Sequence, residues 1–173
     1  VTVVDETDPD LAMPANVLVE GNTTGGANVT LPTVTATDIV DSAPTVTCDQ
    51  SSGFFPLDVT TVNCAATDAS TNSDVGSFTV TVEDTTDPTV TAPTDVIVEG
   101  NVSGGATGVT LGTPSASDIV DSAPSITDDA PLFFSLGVTT ITHTATDGKG
   151  NFSTDTQLVT VRDTTDPTLT TPA

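Results

Sequence analysis

Near the middle of the chain stands Asp84-Thr85-Thr86-Asp87-Pro88, and close copies of this stretch occur near both ends. The first copy is Asp5-Glu6-Thr7-Asp8-Pro9 and the last is Asp163-Thr164-Thr165-Asp166-Pro167, so successive copies lie 79 residues apart. The closing proline lacks a backbone donor and favours extended geometry in the residue before it. This spacing predicts tandem copies of one domain, joined by semi-rigid segments.

The repeat defines the expected domain boundaries. Residues 5–83 form repeat 1 and residues 84–162 form repeat 2. Residues 1–4 are interpreted as the last strand of a preceding repeat, and residues 163–173 as a linker and the start of the first strand of a third repeat. We therefore expect the chain to be a segment of a longer tandem array.

The composition predicts an all-β protein. Aromatic residues make up 3 % of the chain, Thr and Val are abundant, and Pro or Gly interrupts any helical periodicity every few residues. Alternating runs separated by turn residues every 8–12 positions or so are typical of an immunoglobulin-like β-sandwich. In repeat 2 the predicted strands are 96–98, 109–111, 125–128, 138–146 and 156–161. The fourth of these places Ile141, His143 and Ala145 on one face.

The charge restricts the possible partners. The formal net charge is −22, from 24 acidic residues against Lys149 and Arg162. Nucleic acid and anionic membrane surfaces would repel such a protein, which excludes both as favourable partners. The sequence has no apolar run long enough for insertion into a membrane. The acidity instead favours binding of cations.

Two segments carry a resemblance to a known family. They are Asp-Thr-Thr-Asp-Pro-Thr-Val-Thr-Ala-Pro-Thr-Asp-Val at 84–96 and Pro-Leu-Asp-Val-Thr-Thr-Val-Asn-Cys-Ala-Ala-Thr-Asp at 56–68. Both resemble the hyalin repeat (HYR) domain, and the resemblance extends over both repeats. It implies an immunoglobulin-like module at the cell surface or outside the cell, used in tandem for adhesion or as a structural spacer. The family is not known for catalysis, so it suggests no catalytic residue.

The two cysteines, Cys48 and Cys64, look like the paired cysteines of hyalin repeats, and a disulfide is the expected state. Two free buried thiols are the alternative. Repeat 2 has Asp128 and His143 at the same positions. Because a polar group that points inward is costly unless it is paired, we expect a buried hydrogen bond between these two side chains. A structural role is favoured over a catalytic one, since no nucleophile accompanies the pair.

Acidic residues recur at each joint between repeats. If the strands run as in a sandwich, the loops after the second strand and before the last strand lie beside the preceding linker. Five carboxylates then converge in each repeat and suit Ca²⁺, which binds six to eight or so oxygen ligands. Glu20 is expected to extend towards Asp84 and Asp87, and Glu99 towards Asp163 and Asp166. The alternative is that these residues only form turns and carry surface charge. The converging residues are Asp5, Asp8, Asp38, Asp41 and Asp68 in repeat 1, and Asp84, Asp87, Asp118, Asp121 and Asp147 in repeat 2.

Four Asn-x-Ser/Thr sequences are candidate N-glycosylation sites, beginning at Asn22, Asn28, Asn101 and Asn151. Signatures of enzymes are lacking: there is no Gly-x-Ser-x-Gly, no phosphate-binding loop and only one histidine. The protein is therefore not expected to be an enzyme.

The expected function is structural or adhesive, in an extracellular fibre, stalk or filament whose joints are stiffened by calcium. Its partners would be neighbouring repeats or subunits of the same fibre, with cell-surface glycans or proteins as further candidates. In one variant, residues 1–4 add a strand to a neighbouring subunit. Two alternatives stay open: a module that binds a glycan or a protein, and an accessory region of a larger secreted enzyme.

Overall fold

A computed structural model describes residues 4–170 of the chain. The chain divides into two compact units, Val1–Thr85 (unit 1) and Thr86–Ala173 (unit 2), and the division falls inside the Asp84–Pro88 stretch. Among the described residues every regular element is a β-strand, which confirms the all-β prediction.

The described residues of unit 1 form eight strands. The central sheet has the order β2-β8-β7-β5, in which β2 is parallel to β8 and the other neighbours are antiparallel. Two antiparallel pairs, β1-β4 and β3-β6, complete the unit. The strands are β1 (Asp10–Ala12), β2 (Val17–Glu20), β3 (Gly26–Val29), β4 (Thr35–Thr37), β5 (Thr45–Cys48), β6 (Gly53–Pro56), β7 (Asp58–Thr67) and β8 (Ser73–Glu83).

Unit 2 repeats this arrangement. Its four-stranded sheet has the order β10-β16-β15-β13, and its two-stranded pairs are β9-β12 and β11-β14. The strands are β9 (Thr89–Thr91), β10 (Val96–Glu99), β11 (Gly105–Thr107), β12 (Ser115–Ser117), β13 (Ser125–Asp128), β14 (Phe133–Ser135), β15 (Gly137–Thr146) and β16 (Phe152–Arg162).

The core of unit 1 lies between two layers of strands. Alternate residues of β7 and β8 point inward, among them Val62 and Val80, which are fully buried. They pack against Leu11, Ala27 and Phe55, which come from the two-stranded pairs. Because the four-stranded sheet buries one face against those pairs, the unit is an immunoglobulin-like β-sandwich.

The core of unit 2 is built in the same way but contains polar groups. Ile141 and Val159 from the central sheet pack against Phe134 from the β11-β14 pair. His143 and Gln157 lie in the same two central strands and are also fully buried. The predicted inward face of Ile141, His143 and Ala145 is confirmed.

Not every predicted strand exists. Strands 125–128 and 138–146 match β13 and β15, but residues 109–111 form no strand. Val109 and Leu111 still pack against the core, which explains their apolar alternation. Strands β9, β12 and β14, each of three residues, are absent from the predicted strands.

The predictions for the two ends stay predictions. Residues 1–3 and 171–173 lie outside the described residues, so the expected terminal strand of a preceding repeat is not described. Asp163–Thr170 contains no strand. A strand equivalent to β1 would require a partner equivalent to β4. In the described part of the chain, no helix is long and apolar enough to cross a membrane.

Candidate metal centre

Three carboxylates meet at one end of unit 1. Asp38 follows β4 directly, Asp68 follows β7 directly, and Asp5 lies in the segment before β1. Since β4 runs antiparallel to β1, it returns to the end at which β1 begins. One carboxylate oxygen from each of the three residues lies within 4.8 Å of the other two.

The two oxygens of Asp38 have different environments. Its Oδ1 accepts the backbone amides of Val40 and Asp41, each at 2.7 Å, and so shapes the loop after β4. These hydrogen bonds hold the pKa of the Asp38 carboxyl below its usual value. Its Oδ2 is buried and has no hydrogen-bond partner. A buried carboxylate oxygen without a donor is unfavourable, so this atom suits a cation.

Asp68 is fixed by the loop that follows it. Its Oδ1 accepts the amides of Ser70 and Asn72, and its Oδ2 accepts Nδ2 of Asn72 at 2.7 Å. The same Nδ2 donates to the backbone oxygen of Asp5 at 3.2 Å. Asn72 thus joins two of the three acidic residues, although the sequence analysis did not identify it. The signal was present, since an Asn four residues after an Asp recurs as Asp147 and Asn151.

Asp41 and Asp8 do not belong to the group of three. Asp41 uses both carboxylate oxygens in backbone hydrogen bonds, with the amides of Ala43 at 3.0 Å and Ala69 at 2.9 Å. It therefore ties the loop after β4 to the loop after β7. Asp8 is exposed. No other group of three metal-binding side chains this close together is found in residues 4–170.

The corresponding loops of unit 2 have the same hydrogen-bond pattern. Asp118 Oδ1 accepts the amides of Val120 and Asp121, and Asp121 Oδ2 accepts the amide of Gly148. Asp147 Oδ1 accepts three amides of its own loop. These carboxylates therefore form the turns of unit 2.

The remaining acidic residues that were predicted as calcium ligands are spread over both units. Glu20, expected near Asp84 and Asp87, accepts hydrogen bonds from both the amide and the hydroxyl of Thr85. Glu99 accepts the amide of Thr164 at 2.6 Å and the hydroxyl of Thr165. The hydrogen bonds from Thr164 lower the pKa of the Glu99 carboxyl. Asp84 is buried, Asp163 and Asp166 are exposed, and Asp87 accepts the amide of Phe152.

A disulfide joins Cys48 and Cys64, which face each other on the adjacent strands β5 and β7. Cys64 is buried, but Cys48 is exposed because β5 lies at the edge of the sheet. In the described part of the chain no cysteine is free.

The expected hydrogen bond between Asp128 and His143 is not formed. The two residues face each other across β13 and β15, but Asp128 is exposed. His143 Nε2 instead lies 3.4 Å from Oε1 of Gln157, and its Nδ1 has no hydrogen-bond partner. Gln157 Nε2 donates to two backbone oxygens, those of Thr94 and Leu111. The edge position of β13 leaves Asp128 in solvent, so the buried histidine pairs with a neighbour in the core.

The family model described as HYR domain matches residues 4–82, almost all of unit 1. The chain is 33 % identical to hyalin of Strongylocentrotus purpuratus over 95 % of its length, and it covers 14 % of that protein. It is 32 % identical to hyalin of Lytechinus variegatus over its whole length, and it covers 35 % of that protein.

Among solved structures, the chain is similar to the EC1-4 region of Drosophila N-cadherin, with a TM-score of 0.44 and 14 % identity. That match covers 91 % of this chain and 50 % of the other. It is also similar to EC22-24 of mouse cadherin-23, with a TM-score of 0.39, 18 % identity and coverage of 92 % and 66 %.

The localisation follows from the family and agrees with the disulfide: the protein is extracellular or at the cell surface. Its second unit repeats the sequence pattern and the strand order of the first. Residues 4–82 thus match the HYR domain family, and the chain is similar to hyalin over almost all of its length.

Proposed function

We propose that the chain is a structural and adhesive segment of an extracellular fibre, stalk or filament, and that unit 1 binds calcium through Asp5, Asp38 and Asp68. The observation that supports the calcium site is the close approach of three carboxylate oxygens, within 4.8 Å of one another. The tandem repeat of similar domains supports the structural role. A catalytic function is not part of the proposal.

Electrostatics favours a cation at this group. The chain has one Lys, one Arg and one His, namely Lys149, Arg162 and His143, and all three belong to unit 2 by sequence. Unit 1 therefore has no basic side chain of its own to balance three converging carboxylates. Because like charges at this distance raise the free energy of the folded state, a cation from the solvent would stabilise it.

The donor set favours Ca²⁺ over other metals. All three side chains offer carboxylate oxygens, and no cysteine or histidine lies in the group. Oxygen ligands of this kind suit Ca²⁺ and Mg²⁺, whereas Zn²⁺ prefers sulfur and nitrogen. Ligands from three separate segments suit the flexible coordination of Ca²⁺ better than the strict octahedron of Mg²⁺.

A cation here would have a mechanical consequence. Asp5 belongs to the segment that enters unit 1, whereas Asp38 and Asp68 belong to loops of the folded domain. Calcium bound to all three residues would hold the entering segment against the domain and reduce the conformational freedom of that segment. In a tandem array, the same effect at every repeat that has such a group would stiffen the fibre.

Thermal melts of the chain in about 1 mM CaCl2 and in excess chelator test the proposal. Calcium should raise the melting temperature of unit 1, because it binds the folded state only. Asp38→Asn should abolish most of this rise. An Asn side chain can still accept the amides of Val40 and Asp41, so the loop itself should persist.

Glu83→Gln is the matched control, because it removes one charge from an exposed position at the other end of β8. Its response to calcium should equal that of the wild-type chain. Melts that do not change with calcium, or an Asp38→Asn variant that responds as the wild type does, would contradict the calcium site and leave only the structural role.

A further inference from the structure

The four Asn-x-Ser/Thr sequences differ in what their side-chain amides do in the folded chain. Asn101 closes the turn between β10 and β11 with two hydrogen bonds to one residue: Oδ1 accepts the amide of Thr107 and Nδ2 donates to its carbonyl, each at 2.9 Å. Asn22 makes the same pair of bonds with Asn28, at 2.9 and 3.5 Å. Both side chains are therefore structural parts of their turns.

A glycan would disrupt these two turns. When both Oδ1 and Nδ2 bond to one residue, the hydrogen that Nδ2 donates lies on the same side of the amide as Oδ1. A glycosylated asparagine is a secondary amide, and the preferred trans geometry places the sugar on that same side. The sugar would thus occupy the position of the carbonyl of Thr107 or Asn28. Asn22 and Asn101 cannot carry a glycan and keep their turns.

Asn151 is engaged as well. Its Nδ2 donates to Oδ2 of Asp147 at 2.7 Å, and its backbone amide donates to Oδ1 of the same carboxylate. The residue is half-buried. Its amide closes the turn before β16, as Asn72 closes the turn before β8 in unit 1.

Asn28 is different. It is exposed on β3, its neighbours Ala27 and Val29 point into the core, and its side-chain amide makes no hydrogen bond. Directly opposite on β6 lies Phe54, whose side chain is 55 % exposed. Side chains directly opposite on antiparallel strands have Cβ atoms about 5 Å apart. An aromatic ring in solvent therefore flanks the one sequon amide that is available.

We propose that Asn28 is the N-glycosylation site of this chain, and that the ring of Phe54 packs against the first N-acetylglucosamine. In the transfer, Nδ2 of Asn28 attacks the anomeric carbon of an oligosaccharide linked to a lipid diphosphate. The bond from that carbon to the diphosphate oxygen breaks, the lipid diphosphate leaves, and Nδ2 loses one proton. This proposal depends on the extracellular location and does not depend on calcium.

The site is tested by secreting the chain from animal cells and mapping the glycans. Release with a glycosidase that converts the modified Asn to Asp, in heavy-oxygen water, marks each occupied site for mass spectrometry. Asn28 should be the main occupied site in the folded, secreted protein. Thr30→Ala should remove this glycan, whereas Thr30→Ser should keep it. Main occupancy at Asn22, Asn101 or Asn151, or a secreted chain without any glycan, would overturn the assignment.

The role of Phe54 is tested by a double-mutant cycle. The chain whose glycan is trimmed to one N-acetylglucosamine is compared with the unglycosylated Thr30→Ala chain. Each of the two is prepared with Phe54 and with the Phe54→Thr substitution. The sugar should raise the melting temperature by about 2–4 °C only when Phe54 is present. The same rise in both backgrounds, or none in either, would overturn the contact.

The matched control lies at the equivalent position of unit 2. Phe133 is 43 % exposed and stands opposite Thr107, which belongs to no sequon. Phe133→Thr should leave the effect of the sugar on the melting temperature unchanged. If Phe133→Thr abolished the rise in melting temperature as Phe54→Thr does, the effect of Phe54→Thr would not be local. This result would also overturn the contact.

Discussion

At the scale of single residues, the aspartates of this chain use their carboxylate oxygens in two ways that the sequence does not separate. Asp38 uses Oδ1 to shape its own loop and leaves Oδ2 buried without a donor. Asp41, three residues later, uses both oxygens in backbone hydrogen bonds. Turn formation and cation binding, which were alternatives for the sequence, are therefore compatible at Asp38. The spacing could predict the cluster, but only the hydrogen bonds show which oxygen remains for a ligand.

The aspartates also predict a dependence of stability on pH. Burial acts to raise the pKa of the Asp147 carboxyl, but hydrogen bonds from Asn151, Lys149 and Gly150 outweigh it and hold the pKa below its ordinary value of 3.8. A group of this kind stabilises the fold fully above its unfolded pKa and loses that contribution as the pH falls through its folded pKa. Asp147→Asn should therefore lower the melting temperature at neutral pH and lower it progressively less below about pH 4.

Melts of both proteins in chelator, from about pH 7 to about pH 2, would measure this difference. Protonation of the other carboxylates relieves repulsion in both chains alike, so only the difference between them reports on Asp147. Asp166→Asn, at an exposed position, should match the wild type throughout. A difference that stays constant across this range would show that the hydrogen bonds do not favour the charged form.

His143 and Gln157 show the limit of sequence reasoning at this scale. The alternation of the strand correctly placed His143 in the core, but the choice of partner depended on which strand lies at the edge. Gln157 had its own signal, because it shares the inward face of β16 with Val159 and Val161. A polar residue in an apolar alternation needs a partner. That partner could have been sought on β15 only once the register was known.

At the scale of elements, long strands were predictable and short ones were not. The strands β7, β8, β15 and β16 each run for ten or eleven residues, which gives the alternation enough length to be recognised. Three residues cannot show a period of two, and Ser115-Ala116-Ser117 of β12 lacks β-branched side chains. These short strands matter, since β1 and β4 position Asp5 and Asp38.

The disulfide between β5 and β7 predicts that the two units respond differently to a reductant. It closes a loop with a sequence separation of 16 residues. A link of this length stabilises a domain by about 3 kcal/mol, mainly by restricting the unfolded chain. Reduction should therefore lower the free energy of unfolding of unit 1 by about 2–4 kcal/mol and leave unit 2, which has no cysteine, unchanged.

Amide hydrogen exchange, followed peptide by peptide with and without reductant, would separate the two units. Faster exchange should be confined to the core strands of residues 1–85. A double variant, Cys48→Ala with Cys64→Ala, is the control and should not respond to the reductant at all. Equal acceleration in both units would contradict a local effect of the disulfide.

At the scale of the whole molecule, the charge of −22 was the clearest property of the sequence, but it does not by itself locate a site. It predicts electrostatic repulsion from nucleic acid and from anionic membranes, and it predicts that repulsion within the chain destabilises the folded state. Such repulsion responds to any salt, whereas a calcium site responds to one ion. The two contributions therefore have to be separated by experiment.

Screening by salt and binding of calcium can be separated by varying NaCl and CaCl2 independently. Raising NaCl from about 10 mM to about 150 mM shortens the screening length from about 30 Å to about 8 Å, so the melting temperature should rise in the wild type and in Asp38→Asn alike. Adding about 1 mM CaCl2 at the higher NaCl concentration changes the ionic strength very little. A further rise should then occur in the wild type and be mostly lost in Asp38→Asn, because it requires the group of three carboxylates.

Calcium could raise the melting temperature no more than NaCl of equal ionic strength does, and by the same amount in the two proteins. That result would mean that calcium only screens the surface charge. The three carboxylates, whose oxygens lie within 4.8 Å of one another, would then be tolerated through their hydrogen bonds alone. Persistence of the calcium effect at high NaCl would instead identify binding at specific ligands, because screening is then already near its limit. The same melts thus distinguish the charge of the whole molecule from the site in unit 1.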